Sequence, residues 1–544
     1  MPDPIKVAEQ DQTASNQSTV GWQGPEDSIV FDPEAMQALL ADLDKPVYGV
    51  QVDNNYGLTH KGRLVDDTRS NQNAAATPPL PAEQLGSRTF KTDYGVKLAY
   101  YGGAMASAIS SEEMVIALGQ NGAMGSFGAA GNVPDRIESA IHKIQNALPQ
   151  GPYLFNLIHS PYEEALERRA VELYLQHAVR VVEASAFLDL TPHIVHYRAA
   201  GLSRAANGDV EIKNRVIAKL SRTEVATHFM RPAPDKILNA LVADGRITQE
   251  QASLARLVPM ADDVTVEGDS GGHTDNRPLL GLIPTMIALR DQQRQENGYA
   301  QIIRVGAAGG ISTPHAALGA FMMGADYVVT GSVNQACIES GASNHTKKLL
   351  AEAGMADVTM APSSDMFEMG VKVQVLKKGT LFAMRAQKLY TLYTEYESLE
   401  AIPAEERNKL EKQIFQKPLE SIWQETVDFF TQRDPKQIER ANQNPKRKMA
   451  LVFRWYLGLS SRWSAAGTAG REMDYQVWCG PSMGTFNDWV RGTYMEKWDN
   501  RKVADVALQI MTGAAYQYRA RSLEMQGILL PTQATRYFLS TPLA

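Results

Sequence analysis

Residues 302–332 read IIRVGAAGGISTPHAALGAFMMGADYVVTGS. An apolar run (IIRVGAA), a Gly-Gly turn, a helical stretch over Pro314 to Met323 and a second apolar run (YVVTGS) make one strand–helix–strand unit. The two runs are nearly continuously apolar, as strands of a parallel sheet covered by helices must be. Toward the N-terminus the same texture recurs six more times, at KLAYYGG (97–103), AMGSFGA (123–129), YLFNLIH (153–159), RVVEAS (180–185), RVIAKLS (215–221) and DDVTVEG (262–268). Helical stretches intervene at Glu112 to Leu118, Asp135 to Leu148, Tyr162 to His177, Leu190 to Ala199, Glu224 to Met230 and Leu280 to Asn297. Eight βα units over residues 95–340 match the roughly 250 residues of a TIM (β/α)8 barrel, so the fold class is α/β. An open doubly wound sheet would carry a G-x-G-x-x-G after its first strand, and none is present.

The remaining chain divides around this barrel. Residues 1–90 read as a polar arm to about residue 33 followed by a small appendage with a helix (Pro33 to Leu43) and a strand (Pro46 to Val52). The barrel is expected over 91–345, with an inserted helical hairpin at about 232–259 that could lie over one of its mouths. From 346 to 544 helical patterns dominate, at Leu381 to Leu399, Ala404 to Gln432, Met449 to Leu459 and Val503 to Gln526, which predicts a mainly α-helical C-terminal region. Its dense aromatics, among them Phe453, Trp455, Tyr456, Trp463 and Trp478, suit a core, and an acyl-chain groove would have the same composition.

With 44% hydrophobic and 21% charged residues the chain is neither disordered nor fibrous as a whole. No apolar stretch approaches the roughly 18 residues of a membrane span, and MPDPIKVAEQDQTASNQST lacks the basic and apolar regions of a secretory signal. A cytoplasmic protein is expected. The net charge of −7 argues against nucleic acid as a partner. Cys337 and Cys479 fit neither a zinc nor a redox spacing, so no metal or disulfide is assigned.

In a β/α barrel the chemistry sits at the C-terminal ends of the strands. After strand six comes Glu267-Gly268-Asp269-Ser270-Gly271-Gly272-His273-Thr274-Asp275-Asn276-Arg277. Adjacent Gly271 and Gly272 let backbone approach a flat ligand, and His273 would project into the barrel mouth; elsewhere a GGH would be a turn with a solvated histidine. Gly309 and Gly310 after strand seven, with Gly331 and Ser332 after strand eight, stand where such barrels bind phosphate. Strand one ends in GGAMA, whose Ala104, Met105 and Ala106 permit close approach of a ring or merely tight packing. Asn156 offers a donor and an acceptor, or a cap. Lys219 near the end of strand five is a snorkelling residue or, as its position favours, a cation facing the mouth.

GGAMA, FNLIH, EGDSGGH, GAAGGI and GADYVVTGS together resemble the FMN-dependent barrels that include nitronate monooxygenases and flavin enoyl-acyl-carrier-protein reductases. EASAFLDLTPHIVHYRAAGL, VIAKLSRTEVATHFMRPAP, PMADDVTVEGDSGGHTDNRP, MADVTMAPSSDMFEMGVKVQVLKKG and PKRKMALVFRWYLGLSSRW resemble the PfaD family in particular. That family comprises trans-acting enoyl reductases of polyunsaturated-fatty-acid and polyketide synthases. The resemblance covers about residues 90–530.

It implies FMN as cofactor, NADPH or NADH as hydride donor, and reduction of trans-2-enoyl thioesters carried by acyl carrier protein. Ala104, Met105 and Ala106 would line the flavin ring and Asn156 would bond its polar edge. Gly271 and Gly272 would lie by the ring and ribityl chain, with Gly309, Gly310, Gly331 and Ser332 at the phosphate. His273 would be the catalytic residue. TDNR after His273 departs from the flavin reductases, so substrate contacts there do not carry over. Lys219 beside the pyrimidine edge would stabilise reduced flavin, an inference from its charge. A nitronate monooxygenase-like flavin oxidase is the alternative; a colourless sugar-phosphate barrel and a structural subunit are further rivals. The expected partners are the acyl carrier domains of a synthase, with no membrane, and a homodimer is compatible. Acidic carriers would need a basic patch, offered by Lys446, Arg447 and Lys448 with Arg454 and Arg462, or by Lys372, Lys377 and Lys378, unless these are ordinary solvated faces.

Overall fold

The computed structural model describes residues 20–66, 73–159 and 164–544. The chain forms two units, one of Ala82–Ala514 with Leu539–Ala544 and one of Met1–Pro81 with Ala515–Phe538.

The larger unit contains a closed barrel of eight parallel strands: Tyr100–Gly102, Met124–Phe127, Leu154–Ile158, Val181–Ser185, Arg215–Leu220, Asp263–Glu267, Arg304–Ala308 and Val328–Thr330. Strands one to eight pair in chain order, and strand eight closes on strand one through Val328 opposite Tyr100 and Thr330 opposite Gly102. Each falls inside a run expected from its apolar texture. The helices between them start where local chemistry permits: Ser111, Thr191 and Thr313 accept the backbone N–H three residues on, and Pro134, Pro192 and Pro314 occupy the first turn. The helix expected from Tyr162 is described over Glu164–Gln176, and residues 162 and 163 lie outside the described residues.

At the N-terminal end of the barrel, charges are buried in pairs. Arg304 donates to Asp263 at 2.5 and 2.9 Å and Arg198 donates to Asp262 at 2.7 Å. The insertion at 232–259 is a helical hairpin, Asp235–Ala243 and Gln249–Ala255, with Thr248 and Gln251 forming a reciprocal cap. It connects a helix to the start of strand six, so it lies at the end of the barrel away from the chemistry. There Gln251 bonds the carbonyl of Ala200. A short hairpin, Leu202–Arg204 with Val210–Ile212, was not foreseen, although Asn207-Gly208, with Gly208 at φ 88°, is a hairpin signal.

Beyond the barrel the mainly helical expectation holds with one interruption. Val358–Pro362 and Lys372–Leu376 form a hairpin, and the second of these strands pairs with Gly272–His273. The helix expected over 404–432 breaks because Gln416 takes a left-handed conformation (φ 57°) and Pro418 starts a new helix, Leu419–Arg433. Phe453 and Tyr456, on the helix Pro445–Ala466, are fully buried in a cluster that Trp455, Trp463 and Trp478 flank. Most of these aromatics are therefore core.

The basic triplet on the same helix is not an open cationic face. Lys446 bonds the carbonyl of Tyr396 and lies 3.5 Å from Glu397, Lys448 lies 3.8 Å from Glu400, and Arg447 bonds Gln437. Arg454 is 3.4 Å from Glu368 and Lys378 is 3.7 Å from Asp357. These cations therefore each have a neighbouring carboxylate or other acceptor on the protein itself.

In the smaller unit, Val47–Val52 pairs on either side with Asn55–Thr59 and Ala74–Thr77, and Val20–Gln23 pairs with Arg63–Asp66. The arm expected to reach residue 33 therefore gives way to paired strand at Val20. The end of the helix Val503–Met525 belongs to this unit, where buried Tyr516, Ala520 and Leu523 pack with Leu40, Val47 and Leu58. Among the described residues no helix is long and apolar enough to cross a membrane.

Candidate active site

The C-terminal ends of the barrel strands surround a cavity of about 430 Å³. Ala104, Met105, Ala106, Asn156, Lys219, Gly271, Gly272, His273, Gly309, Gly310, Gly331 and Ser332 all line it. The helix Pro445–Ala466 contributes Arg454, Gly458, Ser461 and Arg462 to its wall, and Trp478 and Ser482 join them.

His273 owes its position to strand pairing with Val373. Its Nε2 lies 3.2 Å from a carboxylate oxygen of Asp365, a residue in the loop of the hairpin that supplies Val373. Burial alone would push the imidazole toward its neutral form, but the Asp365 carboxylate beside it outweighs burial and raises the pKa above the usual histidine value. Asp365 responds in the opposite sense: burial would raise it, and the imidazole of His273 beside it holds it below the usual carboxylate range. Asp365 and the cavity-lining Ser363 and Ser364 were not singled out from sequence. No periodicity connects a loop residue with a histidine so far away in the chain.

Lys219 faces the cavity as expected, but not as an unpaired cation. It lies 3.3 Å from Glu183 and 3.6 Å from Glu267. Burial pushes the ammonium down, and the two carboxylates more than compensate, so it stays charged. Glu183 is completely buried and also accepts the backbone N–H of Ala104 at 2.9 Å, which ties the GGAMA loop to strand four. Glu183 was legible: a carboxylate inside the apolar run RVVEAS must have a partner. The carboxamide nitrogen of Asn156 donates to the Glu183 carbonyl and to Ser185 Oγ, so its oxygen is the atom left to meet a ligand.

The glycines separate into two kinds. A Cβ on Gly271 would come within 2.8 Å of Cys479 backbone, and one on Gly309 (φ 77°) within 2.7 Å of Gly268 backbone. Gly271 is thus required for packing against the Cys479-Gly480 segment as well as lining the cavity. Gly310 and Gly331 have open space where a Cβ would stand. Ser332 Oγ accepts the N–H of Gly480 at 3.0 Å, which leaves its own proton for a ligand oxygen. TDNR serves structure: Asp275 accepts from Ser221 and Arg222, and Asn276 bonds Asp269.

Comparison with known proteins agrees with this geometry. The nitronate monooxygenase family model matches residues 100–415, and the N-terminal domain of fatty acid synthase subunit PfaD matches residues 22–79. The inserted helical domain of [acyl-carrier-protein] S-malonyltransferase matches residues 396–475. A polyunsaturated fatty acid synthase polypeptide of Thraustochytrium sp. is 50% identical over 525 residues, covering 95% of this chain and 34% of that protein. Polyketide biosynthesis protein PksE of Bacillus subtilis is 45% identical over 457 residues, covering 84% of this chain and 59% of that one. The chain thus spans less than two thirds of these relatives. The crystal structure of the enoyl reductase domain of MlnA, from the macrolactin cluster of Bacillus amyloliquefaciens, superposes with a TM-score of 0.78 at 40% identity, covering 82% of this chain and all of that domain. The eight-stranded barrel, the family match that spans it and the match of residues 22–79 to the PfaD N-terminal domain establish that this chain belongs to the nitronate monooxygenase family, in its PfaD branch.

Proposed function

We propose that this chain is an FMN-dependent enoyl reductase that takes hydride from NAD(P)H and reduces trans-2-enoyl thioesters presented in trans by the carrier domains of a polyunsaturated-fatty-acid or polyketide synthase. The observation that carries the reading is the His273–Asp365 pair set over a glycine-lined barrel mouth. Kinship with synthase polypeptides and with an enoyl reductase domain supports the substrate class.

The residues present suit a flavin mononucleotide. A volume of about 430 Å³ lies within the usual range for such ligands. The open backbone at Gly310 and Gly331 and the Ser332 hydroxyl suit a phosphate. The oxygen of Asn156 can accept from a ring N–H. When bound, the flavin supplies hydride transfer from nicotinamide to the β-carbon of the enoyl group.

The protein's own work is polarisation and protonation. Nε2 of His273 faces Asp365, so Nδ1 is the nitrogen available to substrate. When protonated, the imidazole can donate to the thioester carbonyl and deliver the proton that the α-carbon requires. Trp478 and the face of the helix Pro445–Ala466 that carries Gly458 restrict the cavity and limit water.

Anaerobic NADPH should bleach the bound flavin, and crotonyl thioester should restore its colour. His273→Ala should keep the flavin and lose roughly 10²–10⁴-fold in enoyl reduction. Failure of NADPH to bleach it, with oxygen-dependent turnover of a nitroalkane instead, would establish the flavin oxidase reading.

A further inference from the structure

On the outside of the barrel, two neighbouring helices bring together three ligand-type side chains. Glu138 and His142 stand four residues apart on the helix Pro134–Ala147, so they share one face. His177 follows the neighbouring helix Glu164–Gln176. One ligand atom from each lies within 4.8 Å of the others, and His177 Nε2 is 2.8 Å from Glu138 Oε1. The two imidazole rings meet edge to face with centroids 4.8 Å apart.

We propose that Glu138, His142 and His177 form a binding site for a first-row divalent cation of the zinc class. Two imidazoles and one carboxylate are the donor set of many three-ligand zinc sites, with water as the fourth ligand. Tetrahedral zinc with bonds of about 2.0–2.1 Å needs ligand atoms roughly 3.3 Å apart. The ligand atoms stand within 4.8 Å of one another, with Glu138 and His177 2.8 Å apart, so small side-chain adjustments would bring them to that spacing. The backbone of His177 is already fixed, since Gln145 donates to its carbonyl at 2.8 Å and to the Tyr153 hydroxyl at 3.0 Å. Magnesium is disfavoured because it selects oxygen ligands.

The position gives the ion a consequence. Ile137, next to Glu138, and Ala170 and Leu173 of the second helix line the cavity of the candidate active site. An ion on the outer face therefore ties together two helices whose inner faces form one wall of that cavity.

Titration of untagged protein with ZnCl2 in excess MgCl2 should show one saturable site with micromolar affinity. Co²⁺ in its place should give the visible bands of a tetrahedral centre. His142→Ala and His177→Ala should each weaken zinc at least ~10-fold while retaining the cavity's ligand and the far-ultraviolet spectrum. Glu138→Gln should weaken it similarly. Absence of saturable binding up to about 100 µM zinc, or equal binding by the His142→Ala/His177→Ala double variant, would overturn the site and leave a Glu138–His177 hydrogen bond with a packed histidine.

Discussion

At His273 two opposed effects compete. Desolvation favours the neutral ring, and Asp365 at 3.2 Å favours the cation and wins. Replacing Asp365 by Asn removes the favourable charge and leaves burial, so the histidine pKa must fall. If the imidazolium is the acid, wild-type activity declines as pH rises through the elevated pKa. Asp365→Asn is then expected to move that alkaline limb to lower pH while flavin content stays unchanged. Stability follows the same sign. A histidine whose folded pKa exceeds its unfolded value of about 6.5 contributes stability that is complete below that value and disappears as pH rises through the folded pKa. The variant should lose that dependence on the neutral side. pH–rate profiles and denaturant unfolding across the same range check both statements, and an unmoved alkaline limb would assign the acid to another group.

At the scale of elements, the turns after the strands must be chosen for two different reasons. Gly309→Ala forces a Cβ to within 2.7 Å of Gly268 backbone at φ 77°, so it should destabilise the protein by roughly 1–3 kcal/mol. Gly331→Ala meets open space, so its melting temperature without cofactor should equal wild type while FMN affinity falls. Thermal melts of the two apo variants with FMN titrations separate the cases; equal FMN affinity in Gly331→Ala would remove that glycine from the proposed phosphate site. The strands were legible because residues such as Val182, Ala218 and Val305 are buried from both sides, which leaves an unbroken apolar run. The hairpin of Val358–Pro362 and Lys372–Leu376 was not legible. Its first strand is half-buried, its second begins with an exposed lysine, and its third partner is the two-residue Gly272–His273 a hundred residues earlier. Asp365 became invisible with it. For the candidate site, the local motifs pointed to the glycines and the histidine, whereas the charge partners Glu267 and Asp365 depend on long-range pairing that no local pattern encodes.

At the scale of the whole molecule, the span matched by the PfaD N-terminal domain, 22–79, does not hold a complete core. Met36, Leu40, Val47, Leu58 and Ala75 are buried together with Tyr516, Ala520, Leu523, Ile528 and Ala534, which the chain supplies more than four hundred residues later. Arg519 completes the join. It is fully buried and donates to the carbonyls of Leu40, Asp42 and Lys45 at 3.0, 2.7 and 2.6 Å, where the helix Pro33–Ala41 ends and its last carbonyls lack helical partners. A fragment of residues 1–90 should therefore be unfolded by circular dichroism and by amide dispersion in NMR, because half of its core and three hydrogen bonds are missing. In the full chain, Arg519→Ala leaves the buried Leu40 carbonyl unpaired and removes two part-buried bonds to Asp42 and Lys45, so it should cost roughly 1–3 kcal/mol. Hydrogen exchange reads that loss where it belongs: protection should fall over Val47–Val52 and Asn55–Thr59 while the barrel strands stay protected. A folded 1–90 fragment would show that this small sheet is a domain in its own right and that its late partner only decorates it.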